Sequence, residues 1–115
     1  MERENKGFDL PENIEVFWRM NSKEILEILK NEKEYLRSRY GLLSIGLFGS
    51  HAKNTEVPGS DIDLLVELKE PSFDCLAGIQ IHLEKKLGKN IDLTRKREGM
   101  SERFLKRIQK DIQYV

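Results

Sequence analysis

The spacing of apolar residues changes several times along the chain, and each change marks an element. Residues 21–41, NSKEILEILKNEKEYLRSRYG, set Ile25, Leu29 and Leu36 on a helical period, with Leu26, Ile28 and Tyr35 alongside. Asn21 with Glu24 reads as a capping box and Gly41 as a C-terminal stop, so a helix is predicted here. LLSIGLF (42–48) is an apolar run of strand length. After Gly49-Ser50, HAKN is predicted as a short helical turn, and TEVPGS as a loop with Pro-Gly punctuation. DIDLLVEL (61–68) is the second strand. Ser72 can cap a helix over 72–88 that closes on Gly88, and NIDLTRK (90–96) is the third strand. Ser101 then caps a last helix predicted to run over 101–115, where Phe104, Leu105, Ile108 and Ile112 form a stripe. The order helix, strand, strand, helix, strand, helix defines an α/β domain over residues 21–115. Residues 1–20 read as an N-terminal extension: 1–9 are polar, and 10–20 carry Ile14, Phe17 and Trp18 in a pattern compatible with a short helix.

Strand alternation sorts the side chains of these segments onto two faces. Ile62, Leu64, Val66 and Leu68 share one face; Asp61, Asp63, Leu65 and Glu67 share the other. In the third strand Ile91 and Leu93 oppose Asp92 and Thr94. The intervening helix has the length of a right-handed parallel crossover, which brings Asp92 beside Asp63 and Asp61 if the two strands are neighbours. Three carboxylates at one spot repel, and a hard divalent cation is a stable way to keep them ionised. Mg²⁺ is commonly held by one or two carboxylates together with substrate phosphates, so the pattern suggests a phosphate-bearing substrate. Gly49 lets a ligand approach the backbone at the end of the first strand. Ser50 adds a hydroxyl, and the N–H groups beyond it point at an anion if a helical turn follows. Bringing Gly49-Ser50 near the aspartates requires the first two strands to be antiparallel.

Charge narrows the picture. The chain has 115 residues with 20 basic and 20 acidic side chains, and this balance argues against generic binding to nucleic acid or to a membrane surface. Any anion site must be local. A single cysteine, Cys75, forms no intramolecular disulfide and fits a reducing cytoplasm. No signal peptide is visible, and no apolar stretch approaches the ~18 residues of a membrane span.

Gly49-Ser50, ten further residues and Asp61-x-Asp63 resemble the signature of the DNA polymerase β-type nucleotidyltransferase superfamily. The short chain and the SDIDLLVEL wording resemble its minimal nucleotidyltransferases, the antitoxin partners of HEPN-domain toxins. Asp92 in NIDLTRK matches the third carboxylate, and IQKDIQYV is similar to the family's final helix. The resemblance implies a polymerase β-like core, a small mixed β-sheet with helices packed on one face. It also implies two Mg²⁺ ions held by Asp61 and Asp63, with Asp92 helping to bind metal and activating the acceptor hydroxyl. ATP would be the substrate, met by Gly49, Ser50, His51 and Lys53. For the antitoxin group it implies transfer of AMP to a tyrosine of a partner HEPN toxin, which silences that toxin. Relatives often carry Gly-Ser-Arg-Ala-Arg-Gly where this chain has Gly49-Ser50-His51-Ala52-Lys53-Asn54. His51 is mostly neutral at pH 7, Lys53 keeps charge without the arginine fork, and Asn54 tolerates a left-handed turn.

Plainer readings stand beside these. The aspartates could be a solvated strand face, and Ser50 could simply cap the turn. His51 suits a phosphate-side or surface contact better than a metal ligand, because no His or Cys lies at ligand spacing. His82 and Cys75 read as ordinary helix residues. Arg95, Lys96 and Arg97 read as a solvated strand end or as a substrate or partner contact. At the level of function, two alternatives to protein adenylylation are a fold that neutralises its toxin by contact alone and an aminoglycoside-type enzyme. The second is disfavoured because 115 residues leave no room for a substrate domain unless a dimer or partner supplies it.

Overall fold

Asn21 starts the first helix, α1 (Ser22–Tyr40), through the reciprocal pair read from the sequence. Its side chain accepts from the Glu24 N–H at 2.8 Å, and the Glu24 carboxylate accepts from the Asn21 N–H at 3.1 Å. The helix stops at Gly41, whose left-handed backbone turns the chain into β1 (Leu42–Phe48). A single turn, α2 (Ser50–Lys53), and a loop lead to β2 (Ile62–Leu68). Ser72 caps α3 (Phe73–Leu87), which is followed by β3 (Ile91–Arg95), α4 (Glu102–Gln109) and β4 (Gln113–Tyr114). The computed structural model describes residues 20–115. The predicted N-terminal extension, with its short helix over 10–20, lies outside the described residues except for Met20, which packs on the core.

The sheet order is β3-β2-β1-β4. β1 pairs with β2 antiparallel, as the placement of Gly49-Ser50 required, and β2 pairs with β3 parallel through the α3 crossover. The two long helices cover one face. There Ile25, Leu29 and Leu36 of α1 and Ile79 and Leu83 of α3 meet Ile45, Leu47, Ile62, Leu64 and Val66, all at 0–1% exposure. Removing a side chain of this size from water stabilises by about 1.5–3 kcal/mol, so this layer dominates the fold. A second, smaller cluster lies on the other side of the sheet, where Ile108 of α4 packs on Phe48 and Leu65.

The C-terminus departs from expectation. A helix running over 101–115 is predicted, but α4 ends at Gln109 and the chain turns at Asp111 to lay β4 antiparallel along β1, pairing Gly46 with Tyr114 and Leu47 with Gln113. Two forces favour the strand. Without β4 the outer edge of β1 would leave a row of backbone groups unpaired. Gly46 also leaves room for it: a Cβ built there would lie 2.9 Å from both the Ile112 and Tyr114 side chains. The Ile112 stripe position is thus used for packing across the sheet.

Candidate active site

The parallel register of β2 and β3 sets Asp63 directly opposite Asp92, and the antiparallel register of β1 and β2 sets Phe48 opposite Asp63. Gly49 follows with φ 81°, and a Cβ at that position would collide with the Asp63 carboxylate. Both the backbone angle and the close approach therefore require glycine. The result is a cleft of ≈370 Å³ whose walls include Gly49, Lys53, Asp63 and Asp92. Across from the strands, α4 and the turn after it contribute Phe104, Arg107 and Asp111. None of these three was singled out from the sequence as a site residue. Phe104 appeared only as part of an apolar stripe, and the unexpected β4 is what fixes that helix over the cleft.

The aspartates do not share one environment. Asp63 is half-buried and is pushed up to about 6, first by its burial and then by the charges of Asp92 and Asp61. The repulsion anticipated from the strand faces is therefore present. Asp92 is exposed on the open side of the same cleft. Asp61 is also exposed and lines a neighbouring hollow of ≈340 Å³ with Glu84 and Lys89. Among the described residues no three His, Cys, Asp or Glu side chains converge as a ready-made metal cage. The donor set still fits a divalent cation: hard carboxylate oxygens lie side by side on β2 and β3, and burial with like charge opposes the ionisation of Asp63, which a cation would offset.

The turn after Gly49 is braced from three sides. Asn54 takes the left-handed conformation expected of it, φ 57°, and its side chain accepts from the Ser22 N–H at 3.0 Å. Gln113 of β4 donates to the Ala52 carbonyl at 3.3 Å. His51 is 2% exposed, with Nδ1 3.1 Å from the Asp61 carbonyl oxygen. A carbonyl only accepts, so Nδ1 carries the proton. Burial lowers the His51 pKa, partly offset by Glu56 and Asp61, and the ring is neutral at pH 7. Of the four residues expected to meet the nucleotide, Gly49 and Lys53 line the cleft, Ser50 opens the turn beside it, and His51 lies behind the turn. Lys53 reaches Asp111, Nζ to Oδ2 at 4.0 Å. Arg95 and Arg97 line an adjoining groove of ≈480 Å³ that shares Thr94 and Phe104 with the cleft. His82 lies far from these residues in sequence and contacts, bonding Glu32 at 2.7 Å between α3 and α1.

A polymerase β-like arrangement of Gly-Ser turn and strand-borne carboxylates defines a nucleotidyltransferase, and comparison with known proteins agrees. The nucleotidyltransferase domain model matches residues 29–115, and the chain belongs to that family. It is 40% identical over 95 residues to a Methanocaldococcus jannaschii protein, the candidate protein adenylyltransferase MJ1379, covering 80% of this chain and 95% of that one. It is 34% identical over 94 residues to the protein adenylyltransferase MntA of Thermococcus cleftensis, covering 81% and 94%. A solved structure described as a candidate minimal nucleotidyltransferase superposes with a TM-score of 0.64 at 27% identity, covering 84% of this chain and 98% of that one. The same fold occurs, with a TM-score of 0.58, 22% identity and coverage of 83% and 72%, in a toxin–antitoxin complex solved with AMP-PNP. Among the described residues no helix is long and apolar enough to cross a membrane.

Proposed function

We propose that this chain is a magnesium-dependent protein adenylyltransferase that transfers AMP from ATP to a tyrosine hydroxyl of a HEPN-type toxin and thereby silences it in the cytoplasm. The observation that carries this reading is the pairing of Asp63 with Asp92 against Gly49 in one cleft, within a chain whose family transfers nucleotides. The names of the relatives support a protein as acceptor, and the toxin–antitoxin complexes that share the fold support a toxin as that protein. Mg²⁺, held by Asp61, Asp63 and Asp92, would neutralise charge on the phosphate oxygens of the reacting nucleotide.

The chain's own residues do the positioning. Gly49 admits the phosphates to the backbone, and the α2 turn with Ser50 presents donors to them. Lys53 adds a positive charge at the same wall. Asp92, which is exposed beside Asp63, accepts the proton of the acceptor hydroxyl in this reading as the hydroxyl oxygen bonds to the α-phosphorus and pyrophosphate leaves. His51 contributes from behind by holding the Asp61 backbone.

Incubation with the adjacent-gene toxin, Mg²⁺ and ATP, followed by intact-mass measurement of the toxin, tests this reading. A gain of one or more AMP masses is expected, abolished in the Asp61→Ala/Asp63→Ala double variant. An unchanged toxin mass, with neutralisation preserved in the double variant, would replace catalysis with inhibition by contact.

A further inference from the structure

The turn after Gly49 carries no arginine. Its histidine is buried behind the cleft, and its lysine leans toward Asp111 at 4.0 Å. The cleft is rich in carboxylates, with Asp63, Asp92 and Asp111 on its walls, and a triphosphate entering it brings further negative charge. Beside Lys53, the cation on those walls is Arg107, which arrives from α4 on the opposite side.

Arg107 is held in place by a chain of rings. Its guanidinium carbon lies 5.3 Å from the centroid of Phe104. Phe104 in turn meets Phe48 edge to face, with centroids 5.8 Å apart at 87°. Phe48 is the residue immediately before Gly49. The arginine is thus tied, through two aromatic contacts, to the same turn that receives the phosphates. A guanidinium resting on a ring face keeps its N–H edge free for the planar fork that matches phosphate oxygens. The helix that carries it is itself fixed, because Ile108 is buried against Phe48 and Leu65 and β4 pairs with β1.

We propose that Arg107 grips the phosphate chain of the incoming nucleotide and supplies, from the C-terminal helix, the guanidinium missing from the Gly49-Ser50-His51-Ala52-Lys53-Asn54 turn. The proposal rests on the nucleotidyl-transfer reading of this cleft. It assigns the residue to substrate binding, with Lys53 and Arg107 facing the phosphates from two walls.

The test measures binding of the ATP analogue AMP-PNP with Mg²⁺, and separately of adenosine, to the wild type, Arg107→Ala and Arg107→Lys by calorimetry. KM values for ATP and for the acceptor protein are measured in parallel. Arg107 is exposed, so both variants should melt like the wild type. Losing a charge-assisted fork should weaken AMP-PNP binding about ten- to a hundred-fold while adenosine binding changes little. Lysine should recover part of the loss, since it keeps charge without the fork. Unchanged AMP-PNP affinity in Arg107→Ala overturns the proposal and leaves the functional reading intact. Equal weakening of adenosine overturns it by moving Arg107 to the nucleoside. A rise in the acceptor's KM alone overturns it by making Arg107 a partner contact. A wild type that binds no AMP-PNP overturns the functional reading and this proposal with it.

Discussion

Leu64 and Asp63 are adjacent in β2, yet they answer to opposite demands. Leu64 and its face-mates Ile62 and Val66 are fully enclosed between the sheet and the two long helices. Asp63 looks the other way into an open cleft, next to another carboxylate and against the backbone of Gly49. One face gains free energy for every atom it buries; the other holds a charge pushed up to about 6, where burial and like charges both oppose ionisation. So small a chain supports a charged site by joining the two demands in one strand. The same strand that carries the unfavourable carboxylate is locked by an apolar face strong enough to hold it there.

Breaking the apolar side gives the largest effect. Leu64→Ala removes a fully buried side chain from the centre of the main core, and such truncations cost about 2–5 kcal/mol. Denaturant unfolding should show that loss as an earlier midpoint with an unchanged slope. Transfer activity per folded molecule should survive at low temperature. A cost below 1 kcal/mol would mean that the core collapses around the gap, and that the apolar face is less decisive than its burial implies.

Relieving the polar side should move stability in the opposite direction. Asp63→Asn keeps the shape, removes the repelled charge, and should raise the melting midpoint of the metal-free protein by a few degrees at pH 7 while abolishing transfer. The sign follows from the raised pKa. The unfolded carboxyl ionises near 3.8, whereas the folded one keeps its proton to about 6, so the wild type loses stability as pH climbs through that window. Below about pH 4 the variant and the wild type should converge. Added Mg²⁺ should stabilise the wild type and leave Asp63→Asn nearly unmoved. A variant less stable than the wild type at pH 7 would show that Asp63 is held by favourable contacts rather than strained.

Much of this contrast is readable from the chain, and the reasons differ by element. Period-two alternation separates Ile62, Leu64 and Val66 from Asp63. Asn21, Gly41, Ser72 and Gly88 mark helix ends through local hydrogen bonding that depends on neighbours only. The Asp63–Asp92 pairing follows from the crossover length once β2 and β3 are neighbours, which the structure supplies. The end of the chain is different. Ile112 fits a helical stripe as well as it fits a strand, and the choice is made by the open edge of β1 and the bare surface of Gly46, both some 65 residues away. Arg107 was missed for the same reason, since its place in the cleft depends on where β4 anchors α4. His51 reads from the sequence as a phosphate-side or surface contact; its burial and its bond to the Asp61 carbonyl depend on how the turn packs against the strand below it, which local sequence does not encode.

That histidine allows the finest test of how the two faces are joined, because it links the phosphate turn to the first residue before β2. His51→Phe keeps an aromatic ring in the buried position and removes the bond to the Asp61 carbonyl, together with the ring's interaction with Glu56. One lost hydrogen bond in a buried setting is worth about 1 kcal/mol, so the melting midpoint should fall only slightly. Asp61 would be less well fixed, and transfer should drop by about tenfold with a weaker Mg²⁺-induced stabilisation. His51→Asn places an N–H near the position of Nδ1 and should restore part of both readouts despite its smaller volume. Because burial lowers the His51 pKa, its contribution to stability is present at pH 7 and declines as pH falls below 6.5, the value for the unfolded chain. This slope should be absent in His51→Phe. If His51→Phe matches the wild type in transfer and in Mg²⁺ response, the ring serves only as filling, and the two faces of β2 act independently of the turn behind them.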